Sequence, residues 1–325
     1  MSTQLSWRDT LGTLGARTGF ARNNYKVTPG LYAVGTPESQ SPVVVTANYK
    51  LTFDHVRKEL HGLAVWLLVV DTRGINVWCA AGKGTFSTEE VGYQVLRTNL
   101  KDLVSHRNLI IPQLAAVGVS LYRLPKKCGF RGQFGPIRIG DLPAYLQNNG
   151  QIDDDKRTVT FSFTERATLI PVELQLILKP LLLTLLGATL ISGTTPEGYG
   201  IDFALSRGRL ILLTTLVAIV SGAILTPLLL PLIPFRQFWL KGAVVSLIAA
   251  ALYLLFCYSA ASIMEAASLS LWITALGSYM AMNFTGSTPF TSLTGVEYEM
   301  RRGLPFQVIL TATALLLWVV IPFTV

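Results

Sequence analysis

The residues best suited to chemistry in this chain surround one cysteine, Cys79, in the octapeptide Asn76-Val77-Trp78-Cys79-Ala80-Ala81-Gly82-Lys83. A cysteine thiolate is both a nucleophile and a soft metal ligand. If 76–83 forms a short helix after a strand, Cys79 sits in its first turns. Unpaired amide N–H groups and the helix dipole there favour the thiolate. Lys83, four residues on, shares that face and adds positive charge. Ala80, Ala81 and Gly82 have almost no side chains, so a large flat group can come close to the helix. The residues alone leave a second reading equally open, with Cys79 a small buried hydrophobe.

Other chemistries find less support. Gly82-Lys83 looks like the end of a phosphate-binding loop, but that motif needs Gly where Val77 stands and Ser or Thr where Gly84 stands. No G-x-G-x-x-G follows a strand, which counts against a dinucleotide. His55, His61 and His106 could in principle serve a thiol hydrolase, though their spacing matches no such family. The remaining cysteines are Cys128 and Cys257, the latter in an apolar run, and no C-x-x-C occurs. The chain therefore offers no zinc ribbon and no iron–sulfur cluster of its own.

Elements that would position Cys79 can be read from periodicity. The run 64–71 is almost continuously apolar between Gly62 and Gly74, as in a strand buried on both faces. Residues 43–49 read as a further strand and 54–61 as a short helix. Ser87 and Glu90 form a capping box that opens a helix to about 104. Short strands are expected at 109–112, 118–121 and 158–163, a helix at 141–147, and irregular chain over 1–40. Strands alternating with helices indicate a mostly parallel, Rossmann-like α/β sheet. Its ligands bind beyond the carboxyl ends of the strands, and Cys79 follows 64–71 by a short loop.

Charge divides the chain. Only 14% of the 325 residues are charged and 50% are hydrophobic, whereas soluble proteins average roughly 25% charged. Residues 1–166 hold 20 Lys/Arg and 13 Asp/Glu; residues 167–325 hold 7 and 6. This predicts a mildly basic cytosolic α/β domain at 1–166 and an all-α transmembrane bundle at 167–325. Five spans are expected near 172–192, 209–233, 238–259, 264–284 and 305–324. Glu173 and Lys179 interrupt the first, either as a snorkelling end or as a buried pair. Lys/Arg at 236, 241, 301 and 302 predict that the N-terminal domain is cytoplasmic and the C-terminus outside. The 3–4 connection around 259–262 carries no charge, and the 1–2 connection, with Arg207 and Arg209, is ambiguous. The spans hold too few charges for a transporter. Scattered cations without stacking aromatics argue against nucleic acid and suit anionic lipid.

The octapeptide closely resembles the motif of the mercury-methylating corrinoid protein family (HgcA), a relative of the large subunit of the corrinoid iron–sulfur protein. The resemblance covers the whole chain, a corrinoid domain followed by about five transmembrane helices. The stretch Thr285-Gly286-Ser287-Thr288-Pro289-Phe290-Thr291-Ser292 through Glu299-Met300 also looks like the family's. The resemblance implies a cobalamin-type corrinoid with Cys79 as its lower axial cobalt ligand. Asn76, Val77, Trp78, Ala80, Ala81, Gly82 and Lys83 would shape the helix under the macrocycle. The alternative corrinoid motif, D-x-H-x-x-G, is absent.

The same resemblance implies an anaerobic, corrinoid-dependent methyltransferase in the cytoplasmic membrane. It would pass a methyl group from methyl-Co(III) to Hg(II), forming methylmercury. The methyl donor would be a methyl-folate or a methyl-donor protein. The electron donor would be a small ferredoxin with two [4Fe-4S] clusters, HgcB. Two other functions stay open: a related membrane-bound corrinoid methyl carrier serving one-carbon metabolism with another acceptor, and a membrane-anchored ligand sensor.

Overall fold

A computed structural model describes residues 1–151, 153–258 and 262–324. The chain divides into two compact units, Met1–Thr160 and Phe161–Val325.

The first unit is an α/β domain around a five-stranded sheet. Its elements run α1 (Trp7–Arg17), β1 (Gly30–Val34), β2 (Val43–Ala47), α2 (Lys50–Glu59), β3 (Val65–Val70), α3 (Val77–Gly82), α4 (Thr88–Arg97), α5 (Leu100–Leu103), β4 (Asn108–Ile111), α6 (Leu124–Cys128), β5 (Arg131–Phe134) and α7 (Leu142–Gln147). Strand order is β1-β3-β2-β4-β5. Strands β2 to β5 pair in parallel, and β1 pairs antiparallel with β3, Gly30 opposite Val69. Mostly apolar residues, many of them valine, fill β2 and β3 because both faces of the sheet are covered. Val43, Val45, Leu68 and Val70 pack on one side with Phe86 and Val91. Val44, Leu67 and Val69 pack on the other with Phe53 and Leu60.

This topology places a switch point in the sheet. From β2 the chain winds outward to β3, then returns across β2 to form β4 and continues away to β5. The connections leave β2 and β4 in opposite directions, so a crevice opens beyond their carboxyl ends, the usual ligand position in open parallel sheets.

Several expectations are corrected. Residues 1–40 hold α1, capped by reciprocal Ser6 and Asp9 bonds, and edge strand β1. The helix expected over 87–104 breaks at Asn99, whose φ of 49° ends α4 and opens α5. Residues 118–121 form a turn, because Gly118 must fit against the backbone of Ala81 and Phe86, where a Cβ would collide. Residues 158–163 are no strand: Ser162 and Glu165 make a capping box that starts a helix at Phe163. Strand β5, with the polar sequence RGQF, had no alternating signal to announce it.

The second unit is helical: α8 (Phe163–Ile191), α9 (Ile201–Ile219), α10 (Phe238–Phe256), α11 (Ile263–Asn283) and α12 (Leu293–Val320). A π-helical stretch, Val220–Leu225, carries α9 on to Leu228. Among the described residues, four segments are long and apolar enough to cross a membrane: Phe163–Ile191, Ile201–Leu228, Phe238–Phe256 and Thr294–Phe323. The fourth of the five expected spans, 264–284, corresponds to α11, which falls short of that apolarity. Helices α9, α10 and α12 pack around it, so its Ser268, Thr274, Gly277 and Ser278 face protein rather than lipid. Gly277 lets the backbones close up, meeting Gly222 on one side and Ser246 on the other.

Several charges in this unit are anchored to backbone or hydroxyl groups. Arg207 and Arg209 lie inside α9, not in a connection. The buried Arg207 guanidinium donates to the Ser192 and Trp318 carbonyls and stacks 3.9 Å from the Trp318 ring centroid. Lys241 donates to Leu230 and Ile233 carbonyls. Glu299 caps α10 by accepting from the Phe238 and Trp239 amides. Glu173 accepts from the Ser287 hydroxyl, and Lys179 is exposed. The 3–4 connection at 259–261 and Val325 lie outside the described residues.

Candidate functional site

The loop between β3 and α3 aims the Cys79 helix, and a side chain from the neighbouring strand holds it. Asn48, buried just beyond the end of β2, bridges the gap. Its Oδ1 accepts from Thr72 N–H at 3.0 Å, from the Thr72 hydroxyl at 2.8 Å and from Gly74 N–H at 3.0 Å. Its Nδ2 donates to Asp71 at 2.9 Å. The Thr72 hydroxyl also lies 2.6 Å from the Ile75 carbonyl, so it shares one proton between two acceptors. Glu90 of α4 accepts from the Asp71 amide at 2.8 Å. Arg73 and Gly74 both have positive φ, 60° and 75°. Such a turn persists because the surrounding bonds over-determine it.

Asn76 then caps α3. Its Oδ1 accepts from the Cys79 amide at 2.8 Å, tying up a donor the helix itself cannot satisfy. The far end closes when the Lys83 amide donates to the Cys79 carbonyl at 3.0 Å and the Thr85 and Phe86 amides turn back to Ala80.

The octapeptide divides by face. Val77, Ala80 and Ala81 are buried in the core shared with Phe86 and Val91. The small size of the two alanines serves that packing, a use the expectation of a close-approaching flat ligand had not assigned to them. Trp78 and Cys79 are half-buried, and Gly82 and Lys83 are exposed. A Cβ added at Gly82 would meet nothing within 4 Å. The outward surface of α3 is thus a sulfur, a bare glycine and a lysine.

Beside this helix, at the switch point, lies a cavity of about 220 Å³. Thr46, Asn76, Val77, Trp78, Ile110 and Arg138 are among its lining residues. The Thr46 hydroxyl is buried without a hydrogen-bond partner among the described residues. The Cys79 helix therefore lends its N-terminal residues to the crevice and carries its sulfur just outside the lining.

The other candidate nucleophiles and bases lie elsewhere. Cys128 closes α6, its thiol donates to the Leu124 carbonyl at 3.4 Å, and burial pushes its pKa up. Cys257 follows the last turn of α10. His61 bonds Thr3 at 2.9 Å, His106 bonds the Ser41 carbonyl at 2.9 Å, and His55 sits on α2. Among the described residues, no three His, Cys, Asp or Glu side chains gather as a metal site.

Sequence reasoning missed Asn48 and Thr72, which orient the site, and Thr46 and Arg138, which line the crevice; it read Glu90 as the capping-box partner of Ser87, whereas the Glu90 carboxylate accepts from the Asp71 amide. An available signal was polar Asn48 directly after the short, β-branched run Val43–Ala47, at the edge where parallel sheets keep their ligands.

The family described as CO dehydrogenase/acetyl-CoA synthase delta subunit matches residues 4–122. The matched stretch contains Asn48, the 71–76 loop and Cys79. Three relatives are acetyl-CoA decarbonylase/synthase complex gamma subunits. That of Methanopyrus kandleri is 35% identical over 131 residues, 40% of this chain and 28% of its own. The gamma 2 subunit of Methanosarcina thermophila is 38% identical over 123 residues, 37% and 26% of the two chains. That of Methanocaldococcus jannaschii is 39% identical over 130 residues, 39% and 26%. The chain spans about a quarter of the length of these relatives. Through residues 4–122, then, this chain is similar to subunits of carbon monoxide dehydrogenase and acetyl-CoA decarbonylase/synthase complexes.

Proposed function

We propose that this chain is a membrane-anchored corrinoid protein that delivers a methyl group to Hg(II), with Cys79 as the residue that would hold the corrinoid's cobalt. The observation that carries the reading is the outward face of α3. A half-buried sulfur stands on a capped helix beside a switch-point crevice, in a domain similar to subunits of acetyl-CoA-synthesising complexes. Those residues fit the group. Cys79 supplies one soft donor, and Gly82 leaves open space beside it for a macrocycle. When bound, the corrinoid supplies a cobalt centre able to take up and release a methyl group.

The chain's own residues do the rest. Asn76 fixes the turn that carries the sulfur. Cys79 would supply the sulfur donor, and Lys83 offers positive charge on the same side. Trp78 walls the crevice next to it. With a corrinoid bound, a thiolate donor at Cys79 would favour release of a methyl group to an electrophilic acceptor such as Hg(II). With three cysteines the chain has too few for a four-thiolate cluster, so electrons would come from a separate protein, for which a ferredoxin with two [4Fe-4S] clusters is the natural choice. A methyl-folate or a methyl-donor protein would supply the methyl group. The four apolar helices would anchor the chain in the cytoplasmic membrane, N-terminal unit inside.

A second reading is favoured by the names of the relatives: the same anchored corrinoid carrier working in one-carbon metabolism with another acceptor. One preparation separates the two. Full-length protein purified without oxygen should contain about one cobalt per chain, and X-ray absorption should show sulfur ligation that vanishes in Cys79→Ala. Nitrogen ligation in the wild type would defeat both readings. Methyl transfer to added Hg(II) supports the first; its absence with cobalt and sulfur ligation intact leaves the second.

A further inference from the structure

Helix α1 is built inside out. Amphipathic helices of water-soluble domains turn their apolar stripe inward. Here Trp7, Leu11 and Leu14, spaced i, i+4, i+7 on one face, are 67%, 56% and 60% exposed, and Phe20 just beyond is 78% exposed. The opposite face carries Asp9, Gly12 and Ala16. Asp9 bonds Lys50 at 2.5 Å and Arg57 at 2.9 Å, and both cations also hold Asp54. Gly12 lies so close to the Tyr25 ring that a Cβ would collide with it, and Ala16 is buried. Rotating α1 to bury its apolar stripe would break the Asp9 ion pairs and leave Lys50 and Arg57 short of a partner. The outward apolar face is therefore enforced by its anchoring.

Cations border that face. Arg8 stands 5.5 Å from the Trp7 ring centroid, and Arg17 lies in the last turn. Residues 1–37 hold Arg8, Arg17, Arg22 and Lys26 against the single acid Asp9, which is already paired. Trp and Leu on one face with arginines at its margins is the pattern of a helix lying in a membrane interface. Among its described residues the same chain carries four helices long and apolar enough to cross a bilayer.

We infer that α1 docks the N-terminal unit on an anionic lipid surface, with Trp7, Leu11, Leu14 and Phe20 in the acyl boundary and Arg8 and Arg17 at the headgroups. The inference rests on the membrane-anchored reading proposed above. The chemistry selects lipid over a protein groove because the stripe is short, flanked by cations on both sides, and tethered to a membrane by its own chain.

The test is photo-crosslinking of the full chain. A benzophenone amino acid replaces Leu11, and the protein is reconstituted in nanodiscs of phosphatidylcholine with phosphatidylglycerol, or of phosphatidylcholine alone. Mass spectrometry should find lipid adducts on α1, more abundant with the anionic lipid. Arg8→Gln and Arg17→Gln should each weaken docking about fivefold. Leu14→Gln, at an exposed position, should lower the yield while the unit stays folded by hydrogen exchange. Adducts to a second copy of the chain or to another protein, or unmodified probe in both lipids, would overturn the inference. Membrane extraction of the same chain tests the anchor separately. If it needs detergent while Leu11 yields no lipid adduct, docking fails and the anchor stands. Release by alkaline carbonate alone would remove both.

Discussion

Helices α1 and α3 are both short and both begin with a side-chain cap, Ser6 in one and Asn76 in the other. They use their faces in opposite ways. Helix α3 buries Val77, Ala80 and Ala81 and turns a sulfur and a lysine to the outside. Helix α1 turns Asp9 inward to an ion-pair cluster and turns Trp7, Leu11 and Leu14 to the outside. A cap starts a helix but does not say which face is presented. That choice belongs to the anchors behind it: the apolar core under α3, and Lys50 and Arg57 under α1. Under the readings proposed above, the outward surface would meet a non-aqueous partner in both cases, a macrocycle for one and a bilayer for the other.

The comparison breaks most severely at the sulfur. Cys79→Ala should lower methyl transfer to Hg(II) by about a hundredfold or more, about 2.7 kcal/mol of barrier, and Cys128→Ala should leave it near wild type. The measurement is methylmercury formed in anaerobic cells that also carry the electron donor. Equal losses in the two variants would end the assignment of a special role to α3.

Next comes the support of that helix. Asn48→Ala removes four bonds and strands the buried Thr72 and Gly74 donors. It should cost about 2 kcal/mol of local stability, seen as faster hydrogen exchange over residues 71–86. Exchange confined to wild-type rates would show that the loop holds itself.

The two small-residue positions on α3 separate packing from ligand approach. Gly82→Leu fits open space and should stabilise the helix slightly, while lowering cobalt occupancy roughly tenfold, about 1.4 kcal/mol. Ala80→Leu overfills a closed core and should destabilise the unit by about 1–3 kcal/mol. Full cobalt retention in Gly82→Leu would mean that the cofactor sits elsewhere. Asn76→Ala should cost about 1 kcal/mol and loosen exchange at the Cys79 amide.

The smallest effect concerns the α1 anchor and pH. Burial opposes ionisation of Asp9, but the bonds from Lys50 and Ser6 prevail and hold its carboxyl well below the usual carboxylate range. A lowered folded pKa contributes stability that is complete above the unfolded value near 3.9 and is lost as pH falls below it. Between pH 7 and 5, protection of residues 7–17 should therefore stay constant, and it should fall below about pH 4. A loss already at pH 6 would point to a different anchor.

The octapeptide, the strand at 64–71 and the N-cap at Ser87 were readable because each is a local pattern whose meaning does not depend on distant partners. The edge strand β1 and the polar β5 were not readable. A strand that borrows its stability from neighbours need not carry its own periodicity. Helix α11 reversed the usual inference: a helix wrapped by others can be richer in Ser, Thr and Gly than a lipid-facing span. The sequence by itself determined a water-facing, mildly basic first half, an apolar second half, and one cysteine in a helix-starting segment. Only the tertiary structure decided that Ala80 and Ala81 face inward, that Asn48 from another strand holds the 71–76 loop, and that α1 shows its apolar side to the outside. The physical reason is common to all three. Which side of a short element faces out depends on contacts made across tens of residues of chain, and local periodicity contains no record of them.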